Sequence, residues 1–158
     1  MAKYEVHLSQ ADHNEKLANK LLSEPPFHDW AITAAFYSVI HYVEAWVFKN
    51  YDVDAEKHTE TSIPRDVSGK LSYTPHGYRE KVIERAYRNH KLSRDLFKCF
   101  LKLRDASQTA RYLSHVDAGA EDPQFLEEPS STFFSLDNAK SLVGSIPPMK
   151  AELIRTKS

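Results

Sequence analysis

Two arginines and a histidine between residues 104 and 115 have side chains that can bind an anion. Arg104 and Arg111 are seven residues apart, and His115 follows Arg111 by four. On one helix, these spacings bring all three side chains close to the apolar face. A buried guanidinium without a partner is very costly, so each arginine must meet a carboxylate, a partner chain or an anionic ligand. We therefore expect an ion-pairing or anion-binding site here, with Glu44 as the first carboxylate candidate.

The helix that carries these residues is predicted to run from Arg94 to about Ser114, with Ser93 as its N-cap. Its buried face is marked by residues that recur every three or four positions: Leu96, Phe100, Leu103, Ser107 and Ala110. Lys98, Lys102 and Asp105 fall on the opposite, solvent-facing side. Ser107 is either a binding residue or the small residue that lets two helices approach, and Tyr112 is either a binding residue or a packing residue.

The stretch from Asp29 to Lys49 is predicted to form the central helix, because it is apolar on almost every side. Its polar exceptions are spaced four, four and three residues apart and form a single stripe: Thr33, Tyr37, His41 and Glu44. Polar residues interrupt the apolar run too often for a membrane span, which favours the centre of a helical bundle. We predict that this stripe, with His41 and Glu44, faces the two arginines.

The remaining chain completes a single all-α domain over residues 1–158, with a core from about 9 to 146. We expect a first helix from an N-cap at Ser9 to about Ser23, a long connection over 51–73, and a third helix that begins at Thr74 and Pro75 and ends near His90. A fifth, C-terminal helix is expected over 135–156, broken at Pro147 and Pro148. The predicted architecture is an up-and-down bundle of four to five helices.

Composition narrows the function classes further. The single cysteine, Cys99, excludes an internal disulfide, and residues 1–8 lack the apolar core of a signal peptide, so a cytoplasmic location is expected. The sequence has no glycine-rich phosphate loop, no CysXaaXaaCys pair and no GlyXaaSerXaaGly elbow, and we expect no cofactor.

Charge is distributed unevenly along the chain although the formal net charge is only -1. Residues 79–104 contain nine Lys or Arg and three acids, whereas residues 117–137 contain six acids and no Lys or Arg. A basic stretch of this kind can meet phosphates, or it can form the solvated outer faces of two helices.

Three motifs, in their order, carry a resemblance to a known family. They are Phe36 to Ala45 (FYSVIHYVEA), His76 to Arg79 (HGYR), and Leu103 to Tyr112 (LRDASQTARY). The chain resembles the HEPN superfamily over roughly residues 10–145, specifically small bacterial and archaeal HEPN-like proteins with an H-x-x-R motif followed by S-x-x-x-R-Y. The resemblance implies a dimerising helical bundle and, in catalytic members, a metal-independent ribonuclease site formed at the dimer cleft by an R-x4-6-H motif.

The resemblance assigns a chemistry to individual residues here. RNA cleavage through the 2′-hydroxyl requires proton transfer and a cation for the phosphorane charge. Arg111, with Arg104, would stabilise the phosphate and His115 would transfer protons, with His41 or His76 as alternative proton carriers. Glu44, Arg79, Ser107 and Tyr112 are the further expected binding residues. Arg111 and His115 are separated by three residues, one fewer than in the catalytic motif.

The sequence also fits two other functional hypotheses. The domain could be a non-catalytic dimer that binds RNA, a nucleotide or a partner protein such as a nucleotidyltransferase, with the acidic segment 117–137 as a partner surface. Alternatively, His41, His76 and His115 lie on three predicted helices that could converge on zinc or nickel, although their positions carry no metal-ligand spacing signal.

Overall fold

The computed structural model describes residues 4–50, 67–68, 70, 75–115 and 122–155, without the side chains of Pro75, His76 and His115. Its elements, in chain order, are α1 (Tyr4–Leu22), α2 (His28–Asn50), α3 (Pro75–Arg88), α4 (Arg94–Tyr112), β1 (Ser114–His115), β2 (Gln124–Phe125), α5 (Ser130–Phe133), α6 (Leu136–Val143) and α7 (Ile146–Leu153). The described chain is therefore almost entirely helical, which confirms the all-α class.

The central position predicted for α2 is confirmed. Sixteen of its 23 residues are buried, and α2 contacts each of the other six helices. The largest side chains that are wholly buried on α2 are Tyr42, Phe36 and Ile32, and they pack with Phe100 and Leu103 of α4 and Ile83 of α3. Burial of an apolar side chain of this size contributes about 1.5–3 kcal/mol, so these side chains of α2 stabilise the fold.

By length and composition alone, α2 is a helix that could cross a membrane. Within this fold, however, 78% of its most apolar window is buried against other parts of the chain. The apolar character of α2 is therefore explained by its place at the centre of the bundle.

The ends of α4 are set by different means. At the start, the Ser93 hydroxyl accepts a hydrogen bond from the Leu96 amide, as predicted, and both the amide and the hydroxyl of Ser93 donate to the Glu152 carboxylate of α7 at 2.5 and 2.7 Å. At the other end, Leu113 adopts a left-handed conformation with φ of 53°. Leu113 turns the chain away from the helix, and α4 ends at Tyr112.

Two predicted helix ends were wrong. α1 begins at Tyr4, and Ser9 lies inside it rather than capping it, because His7 continues the buried face formed by Ala11 and Ala18. α4 ends at Tyr112, two residues before the expected end near Ser114, because Leu113 is left-handed; no glycine or proline in the last turn signals this end in the sequence.

The predicted C-terminal helix over 135–156 is instead two helices, α6 and α7, separated at Gly144 and Ser145. Pro147 and Pro148 lie in the first turn of α7, where a missing amide hydrogen costs nothing, so they start a helix rather than break one. The four-residue α5 and the two-residue strands, which pair Ser114 with Phe125 and His115 with Gln124, were not predicted. The expected connection over 51–73 lies outside the described residues, apart from residues 67, 68 and 70.

Candidate anion-binding site

Arg111 is a half-buried cation near the end of α4 that is surrounded by aromatic rings. Its Nε donates to the Ser107 carbonyl at 3.2 Å, and a terminal nitrogen donates to the Tyr37 hydroxyl of α2 at 3.1 Å. The guanidinium carbon lies 5.8, 5.5 and 5.0 Å from the ring centres of Phe36, Tyr37 and Tyr112. Within 4–50, 75–115 and 122–155, no carboxylate forms an ion pair with Arg111. The guanidinium is stabilised by aromatic ring faces and neutral oxygens, and its remaining N–H donors can bind an anion.

Tyr112 extends this arrangement to the surface. Its side chain is 61% exposed, although its ring lies beside the half-buried Arg111. An exposed ring next to a guanidinium offers a flat apolar face and a positive charge at the same place. This combination suits an anion that carries a flat ring system, as a nucleotide does.

Ser107 lies one turn before Arg111 and is completely buried. Its carbonyl accepts the bond from Arg111, and its hydroxyl has no hydrogen-bond partner among the described atoms. The predicted small-residue packing role fits this burial, since Ser107 belongs to the face of α4 that contacts α2.

Arg104 occupies a different environment from Arg111. One terminal nitrogen lies 2.5 Å from the Glu80 carboxylate of α3, and Nε and the other terminal nitrogen donate to Asp105 at 2.8 and 2.5 Å. Burial would lower the pKa of this guanidinium, but the hydrogen bonds to Glu80 and Asp105 raise it. Arg104 therefore meets carboxylates, as expected of an arginine that leans inward, and much of its charge is already neutralised.

The expected pairing of Glu44 with Arg104 or Arg111 was wrong. The Glu44 carboxylate forms a buried ion pair with Nε of Arg79 on α3, and the exposed fractions of the two side chains are 10% and 3%. Helical spacing places Glu44 on the polar stripe but does not say which neighbouring helix faces that part of the stripe. Because Arg79 fills this place, Glu44 and Arg79 hold α2 to α3.

The polar stripe of α2 does not converge on one cleft. Thr33 is buried and donates to the Asp29 carbonyl of its own helix, and only Tyr37 reaches Arg111. His41 lies beside His7 of α1, with their Nδ1 atoms 3.0 Å apart. The stripe therefore contacts α4, α1 and α3 at successive turns.

The expected register of His115 was also wrong. Because α4 ends at Tyr112 and Leu113 is left-handed, His115 belongs to β1 and does not follow Arg111 by one helical turn. The side chains of His76 and His115 lie outside the described atoms, so their expected roles stay predictions. Among the described side chains, no group of three or more His, Cys, Asp or Glu is placed to hold a metal ion.

A row of exposed cations leads along α4 toward Tyr112. Arg94, Lys98 and Lys102 recur every four residues and are all exposed. None of the three forms an ion pair within the described part of the chain. Successive members are one helical turn apart, a rise of roughly 6 Å along the axis. The row lies on the solvent-facing side of α4, whereas Arg111, near the end of the helix, lies closer to the face that packs on α2.

A second polar cluster, which the sequence did not predict, surrounds Tyr42 of α2. The Tyr42 hydroxyl donates to Asp12 at 2.5 Å and to Glu15 at 2.7 Å, and Lys150 of α7 donates to the same carboxylates at 2.7 and 3.2 Å. Burial and these hydrogen bonds raise the pKa of Tyr42, while Lys150 and Tyr42 lower the pKa of Asp12. The spacing of Asp12 and Glu15 on one face of α1 was the available signal. The cluster joins three helices and has its own cation, which indicates a structural role.

Comparison with known proteins adds no assignment: no protein-family model matches the sequence, and no curated protein matches it.

Proposed function

We propose that this chain binds RNA through its phosphate groups along α4, with Arg111 as the central cation and Tyr112 as a stacking surface for a base. The observation that carries the proposal is the environment of Arg111. It is a half-buried guanidinium that is fixed by the Tyr37 hydroxyl and the Ser107 carbonyl and has no carboxylate partner among the described residues. Such an arginine is already oriented, so less side-chain entropy is lost when a phosphate binds.

The row formed by Arg94, Lys98 and Lys102 supports a polymeric ligand rather than a single phosphate. Cations spaced along one helix can each meet a different phosphate of a chain, and each contact releases counterions. The motif resemblance to HEPN-like proteins favours RNA among the phosphate polymers. An exposed ring such as that of Tyr112 favours a single strand, whose bases are free to stack.

Binding without cleavage is the better-supported form of this activity. Catalysis requires a group that transfers a proton beside the bound phosphate. The contacts of Arg111 within the described residues are with a hydroxyl, a carbonyl and three rings, and none is with a histidine. The expected one-turn spacing to His115 is absent because α4 has already ended. We therefore propose a binding domain and treat cleavage as an outcome of the test.

The test measures fluorescence anisotropy of a labelled single-stranded RNA at several salt concentrations, in EDTA. We expect Arg111→Ala to weaken binding by about tenfold, the cost of a lost charge-assisted hydrogen bond. Arg111→Lys should recover little of this loss, because an ammonium group cannot reproduce the planar fork. Lys98→Ala should lower the slope of log affinity against log salt by about 0.7. Arg155→Ala, which removes an exposed arginine after the end of α7, is the matched control and should change neither quantity.

Two results would overturn the proposal. One is equal weakening by Arg111→Ala and Arg155→Ala, which would mean that RNA responds only to total charge. The other is EDTA-resistant shortening of the RNA, read on a denaturing gel, that Arg111→Ala abolishes. That result would establish a ribonuclease instead of a binding domain.

A further inference from the structure

A small pocket with an acidic rim lies between β2 and α5, away from the row of cations on α4. Its described lining residues are Leu126, Glu127, Glu128 and Phe133, and its volume is about 220 Å³. This volume is below the roughly 300–1,000 Å³ of pockets that hold a whole small molecule. The pocket therefore has the size for one inserted side chain.

The walls of the pocket combine a ring with two carboxylates. Phe133 is 49% exposed, and its ring stands edge-on to the buried Phe134, with the ring centres 5.0 Å apart and an angle of 87°. The contact with the core fixes the position of the Phe133 ring at the surface. Glu127 and Glu128 are exposed, and neither forms an ion pair within the described residues.

Apolar surface continues beside the pocket. Phe125, on β2, is 72% exposed, and Leu113 is 43% exposed. The Leu126 amide donates to the Leu113 carbonyl at 2.8 Å, so the end of β2 is held against the turn that follows α4. The pocket thus opens onto a surface that is apolar at its base and negatively charged at its rim.

The negative charge of the pocket rim indicates which chemical group the pocket can bind. Residues 117–137 contain six acids and no Lys or Arg, so no base of this segment can neutralise the rim. A guanidinium matches both walls, since it stacks on an aromatic face and forms paired hydrogen bonds with carboxylates. An ammonium group is more strongly hydrated and offers no planar face, which makes lysine the poorer match.

We propose that this pocket, formed by Leu126, Glu127, Glu128 and Phe133, binds an arginine side chain from a basic segment of a partner protein, with an apolar neighbour of that arginine packing on Phe125. The pocket shares no residue with the proposed RNA surface, and this proposal does not depend on RNA binding. The two surfaces also carry opposite charge: the proposed RNA surface along α4 is cationic, and the rim of the pocket is acidic.

The test uses the full chain, labelled with ¹⁵N, and a capped tripeptide of leucine, arginine and valine. We expect saturable shifts of the backbone amide signals of residues 125–134, with a Kd of about 1 mM for a single side-chain contact. The same tripeptide with citrulline, which is neutral and has the same shape, should bind at least about fivefold more weakly. The lysine tripeptide should fall between the two.

Variants of the rim and of the ring separate the two contributions. Glu127→Gln and Glu128→Gln should each weaken the arginine peptide by about two- to fivefold, the range for exposed ion pairs. Phe133→Leu keeps an apolar wall but removes the ring face, so it should reduce the preference for arginine over lysine. Asp137→Asn, an exposed acid on α6, is the matched control and should leave binding unchanged. Unchanged amide signals outside 122–136 show that each variant remains folded.

Three outcomes would overturn the proposal. The first is equal binding of the citrulline and arginine peptides, and the second is the absence of shifts in residues 125–134 at 10 mM peptide, about ten times the expected Kd. The third is a shift of the same signals with protein concentration alone. That result would show that the pocket is occupied by a second copy of this chain rather than by a partner.

Discussion

Glu44 of α2 and Arg79 of α3 form an ion pair inside the bundle, where the exposed fractions of their side chains are only 10% and 3%. The chain places two charges where water cannot solvate them and connects its central helix to α3 through that pair. Removal of one partner takes a charge-assisted hydrogen bond from the other, whose charge stays buried, and this cost exceeds the net value of the pair. The integrity of the α2–α3 contact therefore depends on both residues.

Arg79→Met should lower the free energy of unfolding by about 3–5 kcal/mol, because it removes the Nε donor of a carboxylate whose side chain is only 10% exposed. The measurement is urea denaturation followed by circular dichroism. The control is Arg88→Met, which removes an arginine of α3 whose side chain is 73% exposed and paired with Glu84, and it should cost less than about 1 kcal/mol.

The double variant Glu44→Leu with Arg79→Met tests the electrostatic reason for that loss. With both charges removed, we expect it to be more stable than Arg79→Met alone. If the losses of Glu44→Leu and Arg79→Met, each measured alone, simply add in the double variant, lost packing rather than the loss of the buried ion pair explains the result.

The cluster of Asp12, Tyr42 and Lys150 should make the stability of the protein depend on pH in the acidic range. Hydrogen bonds from Lys150 and Tyr42 lower the pKa of Asp12 below its ordinary value of 3.8. A carboxyl with a depressed pKa in the folded state stabilises the protein above its unfolded pKa, and this contribution is lost as pH falls through the folded pKa. The contribution of Asp12 should therefore be complete above about pH 4 and decline below it.

Denaturant unfolding between pH 7 and pH 2.5 measures this dependence. Asp12→Asn should be less stable than the wild type at pH 7, and the difference between them should narrow below pH 4. Asp137→Asn, an exposed aspartate on α6, should follow the wild-type curve. A constant difference between Asp12→Asn and the wild type over the whole range would exclude a role for the ionised carboxylate.

The turn after α3 offers a stabilising substitution. His90 has a positive φ of 56°, and its amide donates to the Tyr87 carbonyl while the Lys91 amide donates to the Ala86 carbonyl. These two bonds form a Schellman motif, in which the left-handed position favours glycine. His90→Gly should raise the free energy of unfolding by about 0.5–1 kcal/mol.

The neighbouring residue provides the control for the His90 substitution. Asn89 does not have a positive φ, so Asn89→Gly adds chain entropy to the unfolded state without relieving strain. It should destabilise the protein by about 0.5–1 kcal/mol. Thermal unfolding of both variants is the measurement. A shift of the two midpoints in the same direction would show that the left-handed conformation of His90 does not explain the effect.

The helices that carry the site could be predicted because their signals are local. Ser93 caps α4, Pro75 begins α3, and the apolar pattern from Leu96 to Ser107 defines the face of α4 that packs on α2. These features depend on residues a few positions apart, which sequence spacing describes directly. The end of α4 was missed because Leu113 adopts a conformation that its sequence does not signal.

The partners of the polar side chains could not be predicted in the same way. Helical periodicity shows that Glu44 and Arg111 leave the solvent-exposed face, but it does not state which helix lies opposite. Glu44 meets Arg79, 35 residues away, and Arg111 meets Tyr37, 74 residues away. His7 was overlooked for a related reason, since a histidine on the buried face of α1 interrupts the apolar pattern that marks a helix. Long-range packing, rather than local spacing, decides these contacts.

The hydrogen bond between Arg111 and Tyr37 should contribute to RNA affinity. Tyr37→Phe retains the ring but removes the hydroxyl that accepts from the guanidinium at 3.1 Å. Without this acceptor, Arg111 keeps its charge and its bond to the Ser107 carbonyl but samples more orientations before binding. We expect RNA to bind about three- to tenfold more weakly, which corresponds to the roughly 1 kcal/mol of one hydrogen bond. Because a charge is not lost, the salt dependence should stay that of the wild type.

The control for Tyr37→Phe is Tyr87→Phe. Tyr87 is a half-buried tyrosine of α3 whose ring stacks on Phe97 at 5.2 Å between centres, and it makes no described contact with Arg111. Its hydroxyl makes no hydrogen bond to the described residues, so its removal should leave both RNA affinity and stability unchanged. If Tyr37→Phe binds RNA as tightly as Tyr87→Phe does, the orientation of Arg111 has no part in binding. A loss of affinity accompanied by a reduced salt slope would instead show that Tyr37→Phe has displaced the cation itself.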